Sequence, residues 1–270
     1  MKDLTIVVPL YNKCKYIERC LESIRGCVHN LDWECIVVDD GSTDGSTEVA
    51  KDYCNKFPEN YTYLQCLRNH GHYPSYARNV GIRMAESDYI MFFDADDLMC
   101  DGYPERGVQF MRENPDYYLY FESIYVVDKE VFEDNYFEYY SFVPFEPITA
   151  MDYPGFVNFG GGAYTRSIFR TDEVKKYRFK DMLFEDSIFM LDYLYPMKKF
   201  KLDTSKFCFY YFVCRSEQDV MAMSKNKEDN QMTDREYIYE YVKNQYPDYF
   251  KTFIETNNQY KVELKNNNQN

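Results

Sequence analysis

Several short signatures of common enzyme classes are absent from this 270-residue sequence. It has no G-x-G-x-x-G turn after its first apolar run and no G-x-x-x-x-G-K-[ST] loop, which argues against dinucleotide oxidoreductases and P-loop enzymes. It also lacks a G-x-S-x-G elbow and has only three histidines, so Ser-His-Asp hydrolysis has little support. No two cysteines have the C-x-x-C spacing of a zinc or redox site.

Basic residues are outnumbered, because 31 Lys and Arg stand against 45 Asp and Glu and give a net charge of −14. Such a chain repels polyanions, so we expect no nucleic-acid partner. A small anionic substrate stays compatible with this charge where a bound cation offsets it locally. No run approaches the roughly 18 apolar residues of a membrane span. Nine cysteines without a signal peptide predict reduced thiols and a cytoplasmic protein, with peripheral attachment to the inner face of the membrane left open.

The first hundred residues alternate between strand and helix patterns. Strands are predicted at the apolar runs Thr5–Val8, Cys35–Val38, Tyr61–Leu67 and Tyr89–Phe93. Helices are predicted between them, over residues 17–24, 49–57 and 75–85. This order predicts an α/β fold with a largely parallel sheet and right-handed crossovers. In such sheets ligands bind beyond the carboxyl ends of the strands.

Beyond residue 101 the periodicity weakens. Strand-like stretches lie at 116–128, 130–145 and 207–213, a glycine turn at 160–162, and helical patterns at 187–194, 235–243 and 250–256. The chain is therefore divided into residues 1–100, residues 101–225 of the same domain, and a helical or partly disordered tail at 226–270.

Two carboxylates, Asp94 and Asp96, follow the apolar run Tyr89–Phe93. At the end of a strand a turn can converge such a pair on one cation. Hard oxygen ligands suit Mg²⁺ or Mn²⁺, which can bridge diphosphate oxygens. The D-x-D segment therefore predicts a metal site.

A second acidic segment, Asp39 to Ser46, ends the second predicted strand. Its spacing resembles the start of a calcium loop, but Lys51 stands at the twelfth position, where an acidic ligand is needed, so that interpretation is rejected. Asp44 or Ser46 is expected to cap the following helix. This leaves Asp39 and Asp40 for a ligand.

Together these segments resemble the amino-terminal half of family 2 glycosyltransferases with the GT-A fold. The resemblance covers roughly residues 4–100 in the family's order and rests on Val7–Asn12, Val37–Ser46, Asn69–Gly71, Ala77–Ile82 and Tyr89–Asp97. The second half resembles the family at Gly162–Arg170, on the acceptor side, and at Phe184–Phe189, which includes the E-D pair. His70, the Tyr73-Pro74 segment and Ser216–Ser224 depart from the pattern.

The resemblance implies a Rossmann-like, mostly parallel central sheet flanked by helices, with a smaller mixed sheet on the acceptor side. Residues 1–100 would bind the nucleotide sugar, and residues 101–225 would bind the acceptor and carry the catalytic base. The implied activity is that of an inverting, metal-dependent hexosyltransferase. It would use a UDP-sugar and Mn²⁺ or Mg²⁺ to extend a glycan or a lipid-linked glycan in polysaccharide biosynthesis.

Individual roles also follow from the resemblance. Pro9, Tyr11 and Asp40 would hold the nucleobase, with Asp40 accepting from the ring N–H of uracil. Asp94 and Ala95 would contact the nucleotide, and Asp96, with Asp94, would ligate the metal. Asp186 would be the catalytic base, and Arg78 would brace the nucleotide loop unless it forms only a structural ion pair. The acceptor side and closing loop would include Gly161, Gly162, Glu185 and Arg215.

Two other functions remain open from the sequence. In a phosphatase of the haloacid dehalogenase type, Asp94 would be the nucleophile and Asp96 the acid, although Leu98 and the position in the chain depart from that pattern. A sugar- or nucleotide-binding module without activity is the second alternative. For Asp186 the structural alternative is a helix cap.

Overall fold

The computed structural model describes residues 1–66, 73–117, 119–120, 125–127, 167–182, 185–194, 211–213, 234–247 and 250. Its main feature is a six-stranded sheet with the order β3-β2-β1-β4-β7-β5. The first four strands along the chain are β1 (Leu4–Leu10), β2 (Trp33–Asp39), β3 (Tyr61–Gln65) and β4 (Tyr89–Phe92), and they pair with one another in parallel. The predicted α/β architecture with a largely parallel sheet is confirmed.

β1 is the central strand, and every one of its residues is buried. Strands buried on both faces are apolar throughout, which is why this run does not alternate with polar residues. The sequence predicted an end at Val8, but the strand continues through Pro9 to Leu10. Pro9 is tolerated because β4 pairs with β1 only as far as Val7, so the missing N–H costs no bond to β4.

The crossover helices α1 (Ile17–Cys27), α2 (Ser46–Lys56) and α3 (Ser75–Met84) match the three predicted helical patterns. The apolar residues of α1 and α2 share a cluster with alternate residues of β1, whereas Ala77 of α3 packs with Ile36 and Val38 of β2. The two clusters use alternate residues of the strands, and successive strand residues point to opposite faces. Helices therefore cover both faces of the sheet.

The strand order reverses between β1 and β4. From β1 the chain adds β2 and then β3 on one side, and α3 returns it to the other side of β1, where β4 pairs. Such a reversal opens a crevice at the carboxyl ends of the two strands. Both acidic segments of the sequence lie at this edge.

The remaining strands of the sheet were only partly predicted. β5 (Leu119–Tyr120) lies within a predicted strand-like stretch, whereas β7 (Ile168–Arg170) was not predicted and runs antiparallel between β4 and β5. Helix α4 (Tyr103–Glu113) was also missed. It buries Tyr103, Val108 and Met111, and a Cβ on its Gly107 would lie 2.3 Å from Ile168, so the glycine permits close packing on β7.

Further elements include a short helix α5 (Thr171–Val174), helix α6 (Glu185–Leu194) and helix α7 (Asp234–Gln245). A second, two-stranded parallel sheet pairs β6 (Tyr125–Val127) with β8 (Tyr211–Val213). The predicted strand at 130–145, the turn at 160–162 and nearly all of the predicted helix at 250–256 lie outside the described residues. The seven cysteines that the structure describes are free thiols. In the part of the chain described here, no helix has the length and apolar character needed to cross a membrane.

Candidate active site

Asp39, the last residue of β2, is fully buried. Its carboxylate accepts from the Ser42 N–H at 2.9 Å, from the Tyr63 hydroxyl at 2.7 Å and from the Thr47 hydroxyl. The expectation that Asp39 is available to a ligand is therefore wrong, because three donors from the loop, α2 and β3 already surround it. Its role is to hold the loop after β2 against the sheet.

Asp40 continues the chain at the same edge. Its backbone N–H donates to the Leu10 carbonyl at 2.9 Å, which fixes the residue beside the end of β1. The side chain is 7% exposed, so it lies within the site and not on an open surface. A buried carboxylate costs free energy unless polar groups compensate it, and this is the environment in which one charged hydrogen bond to a ligand matters.

The segment after β1 is fastened to the segment after β2. Backbone N–H groups of Asn12, Lys13 and Cys14 donate to Ser42 Oγ at 3.0 Å, Ser46 Oγ at 2.8 Å and Asp44 Oδ2 at 3.0 Å. Asn12 has a φ of 52°, a left-handed conformation that asparagine tolerates better than most residues. Asp44 also accepts from the Ser46 N–H at 3.0 Å, but the N-cap of α2 is Gly45 and no side chain caps the helix, so the prediction that Asp44 or Ser46 caps it is wrong.

The D-x-D segment lies directly beyond β4, and its two carboxylates have different partners. Asp94 accepts from Arg78 at 2.9 Å, whereas Asp96 forms an ion pair with Lys13 at 2.8 Å. Ala95 between them is buried in the apolar core, so any contact with a ligand would have to use its backbone. The turn separates the two side chains, so each carboxylate pairs with a different basic residue.

A divalent metal fits this donor set. Among the described residues, no group of three or more His, Cys, Asp and Glu side chains could hold a metal ion. Mg²⁺ and similar ions are nevertheless commonly held by one or two carboxylates together with substrate phosphates. Asp96 is a hard oxygen donor at a sheet edge, and the Lys13 ammonium already occupies it as a positive charge. Metal dependence itself stays a prediction.

Arg78 connects this edge to α6. Its guanidinium donates to Asp94 at 2.9 Å and to Glu185 at 2.8 Å, and its charge lies 5.1 Å from the centre of the Phe179 ring. Burial alone would lower the pKa of Arg78, but the carboxylates around it raise the pKa above its usual value. Arg78 thus forms the ion pairs that the structural alternative predicts, and its bracing of a nucleotide loop stays a prediction.

Glu185 and Asp186 begin α6 and face different surroundings. Glu185 is 8% exposed and points to Arg78, whereas Asp186 is half-buried and accepts from the Ser187 N–H at 2.6 Å. Burial and the neighbouring Asp186 raise the pKa of Glu185 to about 7, although Arg78 acts to lower it. Asp186 lies inside the first turn of the helix and is not the residue before it. Its assignment as the base stays a prediction.

For two other predicted site residues the structure gives burial and position along the chain. Pro9 is buried in β1, and Tyr11 is half-buried immediately after it, at the edge where Asp40 lies. Their contacts with a base are still predictions. The acceptor-side and closing-loop residues Gly161, Gly162 and Arg215 lie outside the described residues.

Two site residues were missed by reasoning from the sequence. Lys13 was overlooked, although a basic residue just after the first strand is placed by the topology at the acidic edge. Asn79 lies within the motif Ala77–Ile82, but no role was predicted for it. Its side-chain amide donates to the Phe179 carbonyl at 2.8 Å and accepts from the Phe179 N–H at 2.9 Å. Asn79 thereby fixes the segment that leads into α6.

Known proteins share the sequence pattern and the fold of this chain. The family model described as Glycosyl transferase family 2 matches residues 5–177, which is more than half of the chain. A teichoic acid poly(glycerol phosphate) polymerase from Staphylococcus epidermidis is 39% identical over 97 residues, 36% of this chain and 13% of that protein. A poly(ribitol-phosphate) beta-glucosyltransferase from Bacillus spizizenii is 36% identical over 112 residues, 41% of this chain and 17% of that protein. The chain thus spans less than a fifth of either relative.

Among solved structures, S. aureus TarS 1-349 in complex with UDP-GlcNAc superposes with a TM-score of 0.63. The match covers 79% of this chain and 59% of that one, at 24% sequence identity. At that identity the likeness concerns the fold, and it confirms the predicted GT-A architecture.

Proposed function

The chain belongs to glycosyl transferase family 2, and from that membership and the site geometry we propose that it transfers a sugar from a UDP-sugar to an acceptor hydroxyl with inversion. The observation that carries the proposal is the arrangement at the carboxyl ends of β1, β2 and β4. There Asp40, Asp94 and Asp96 follow strands that end at one edge of the sheet, and Arg78 connects Asp94 to the start of α6. The haloacid dehalogenase alternative is set aside, because that enzyme class does not share this family.

The donor would lie across the switch point, with its base beside Asp40 and its diphosphate near Asp96. A carboxylate at Asp40 accepts from the ring N–H of uracil, a donor that cytosine lacks at that position. UDP is the nucleotide in the complex of the structural neighbour TarS with UDP-GlcNAc, which supports the same nucleotide here.

In the reaction, the acceptor oxygen forms a bond to the anomeric carbon while the bond from that carbon to the diphosphate oxygen breaks. Asp186 takes the proton of the attacking hydroxyl, and UDP leaves with the electron pair of the broken bond. Asp96, with Asp94, would hold Mn²⁺ or Mg²⁺, and that ion would offset the negative charge of the departing diphosphate. Arg78 keeps Asp94 oriented, and Glu185 keeps Arg78 in place.

The acceptor is proposed from the relatives. The two described above are named for poly(glycerol phosphate) and poly(ribitol-phosphate), which are polyol-phosphate polymers with free hydroxyls. We therefore propose a hydroxyl of a surface polymer, either a glycan, a lipid-linked glycan or a polyol phosphate. If the acceptor is lipid-linked, the protein would act at the inner face of the membrane.

The proposal is tested by calorimetric titration of UDP with and without Mn²⁺. We expect binding that strengthens with Mn²⁺, and we expect Asp96→Asn to remove the metal-dependent part. Asp101→Asn is the matched control, since Asp101 is exposed and pairs with His29 away from this edge. UDP affinity that is unchanged in Asp96→Asn with Mn²⁺ present would refute the metal assignment. Absence of UDP binding in the unaltered protein would refute the proposal that the donor is a UDP-sugar.

A further inference from the structure

The ion pair between Lys13 and Asp96 joins two loops of the site. Lys13 follows β1 and Asp96 follows β4, and the ammonium nitrogen lies 2.8 Å from Asp96 Oδ2. The two side chains are 22% and 17% exposed, so the pair is sheltered from solvent on most sides. A pair this enclosed is screened less by salt than a surface pair.

The backbone of Lys13 is held while its side chain stays adjustable. Its N–H donates to Ser46 Oγ at 2.8 Å, and the preceding Asn12 accepts from the Thr43 N–H at 2.8 Å. The left-handed φ of Asn12 turns the chain sharply at this point. Lysine carries a compact charge on a four-carbon stem with rotatable donors, so the ammonium can change partner without any shift of the loop.

Asp96 is also the carboxylate assigned to the divalent cation. Lys13 contacts Oδ2 of this carboxylate, so a divalent ion that binds the same oxygen competes with the ammonium, and we expect metal binding to displace Lys13. The displaced ammonium would then lie beside the diphosphate of the donor, which the proposed function brings to this edge. On a chain of net charge −14, a positive charge placed there lowers the cost of bringing the diphosphate in.

We propose that Lys13 is a donor-binding residue that neutralises Asp96 before the donor arrives and transfers to the diphosphate when the divalent cation takes Asp96. The proposal rests on the proposed function and assigns a role in it to a residue outside the family motifs. It has two consequences of opposite sign. Lys13 weakens the binding of the metal alone, because it competes for Asp96, and strengthens the binding of the nucleotide with metal.

The test compares Lys13→Met with the unaltered protein and with Lys15→Met. Lys15 lies two residues away and is exposed, so its variant removes the same charge outside the pair. The binding of Mn²⁺ without nucleotide is measured from the spectroscopic signal of free Mn²⁺. The binding of UDP is measured by calorimetry at saturating Mn²⁺. Lys13→Arg serves as a second variant that keeps the charge, and circular dichroism confirms that each variant is folded.

In Lys13→Met we expect Mn²⁺ alone to bind roughly two- to fivefold more tightly, since one partly exposed ion pair no longer has to be broken. UDP with Mn²⁺ should bind about tenfold more weakly, because a charge-assisted hydrogen bond to the diphosphate is lost. Lys15→Met should change neither affinity beyond about twofold. Lys13→Arg should retain most of the UDP affinity.

Two results would overturn the inference. One is a Lys13→Met protein with the same Mn²⁺ and UDP affinities as the unaltered protein. The other is an equal change in Lys13→Met and Lys15→Met, which would show a general effect of charge. Failure of the proposed function is distinguishable from both, since the unaltered protein would then bind Mn²⁺ but no UDP.

Discussion

Arg78 Nη1 lies 2.8 Å from Glu185 Oε1, and this contact joins α3 to α6 across 107 residues of sequence. The two side chains are 5% and 11% exposed. Removal of one partner from such a pair leaves a charge that is buried and uncompensated, which is far more costly than the loss of a surface pair. The stability of the site thus depends on the same guanidinium that orients Asp94.

Arg78→Met is therefore expected to lower the free energy of unfolding by roughly 3–5 kcal/mol. Urea denaturation measures this directly. Arg83→Met is the control, because Arg83 lies on the same helix but is exposed, and its loss should cost within about 0.5 kcal/mol. Equal effects of the two variants would show that the Arg78 pairs contribute little.

A pH dependence follows from Glu185. In the unfolded chain its pKa lies near the ordinary value of 4.5, and in the folded protein burial and Asp186 raise the pKa to about 7. Between these values the folded state binds more protons than the unfolded state, so this group makes stability fall as the pH rises. Relative to Glu185→Gln, the unaltered protein should lose stability between about pH 5 and pH 8.

Urea denaturation of both proteins at several pH values checks this expectation. Glu185→Gln keeps an oxygen for Arg78 but does not titrate. The exposed Glu18 on α1 provides a control, and Glu18→Gln should follow the pH profile of the unaltered protein. Parallel profiles for Glu185→Gln and the unaltered protein would contradict the raised pKa.

Asp186→Asn tests the catalytic base. Asparagine keeps the shape and can still accept from the Ser187 N–H, but it cannot take a proton at neutral pH. UDP affinity should stay within about twofold, and kcat should fall by roughly 10²–10⁴. If transfer survives in Asp186→Asn and is lost in Glu185→Gln, the base is Glu185.

Asp40→Ala tests whether Asp40 selects uracil as the nucleobase. Loss of a charge-assisted hydrogen bond to uracil costs roughly 1.5–3 kcal/mol, so UDP should bind about tenfold or more weakly. The affinity for Mn²⁺ alone should not change. Asp52→Ala is the control, since Asp52 is an exposed carboxylate on α2. Equal affinities for UDP and CDP in the unaltered protein would contradict the assignment.

Gly81 supports the site through packing. A Cβ at this position would lie 2.2 Å from Val7 Cγ1, so α3 rests almost directly on β1. Gly81→Ala should destabilise the protein by roughly 1–3 kcal/mol, because the helix that carries Arg78 must move away from the strand. Gly26→Ala is the contrasting variant in helix α1. A Cβ at Gly26 would meet no atom within 4 Å, so this variant should stabilise the protein by about 0.5–1 kcal/mol. Thermal unfolding of the two variants separates these outcomes, and equal shifts would contradict the packing argument.

The first four strands were predictable because each is a short apolar run between clear helical patterns. α4 was not, because Gly107 lowers the helix propensity of an otherwise amphipathic segment, although Pro104 in its first turn is typical of a helix start. β7 contains only three residues, and its place in the sheet is set by pairing with β4 and β5 and not by any local pattern.

Within the site, the topology alone places Asp40, Asp94 and Asp96 at one edge, which is why a strand-by-strand reading of the sequence found them. The partners of the carboxylates were not predictable in the same way. Asp39 accepts from the hydroxyl of Tyr63 on β3, and Lys13, which follows the left-handed Asn12, pairs with Asp96. Both depend on loop geometry that no sequence period encodes.

β7 lies far along the sequence from its partner β4, and this separation also affects how the chain folds. Its residues pair with Tyr89 and Ile90 of β4, yet residues 93–167 are synthesised between the two strands. Until β7 is added, β4 is an open edge whose backbone groups can pair with another chain, and Phe92 lacks the Phe169 ring that lies 6.1 Å from it in the folded protein. Refolding at high protein concentration should therefore compete with edge-to-edge association, and a fragment that ends before β7 should self-associate although its parallel strands are complete.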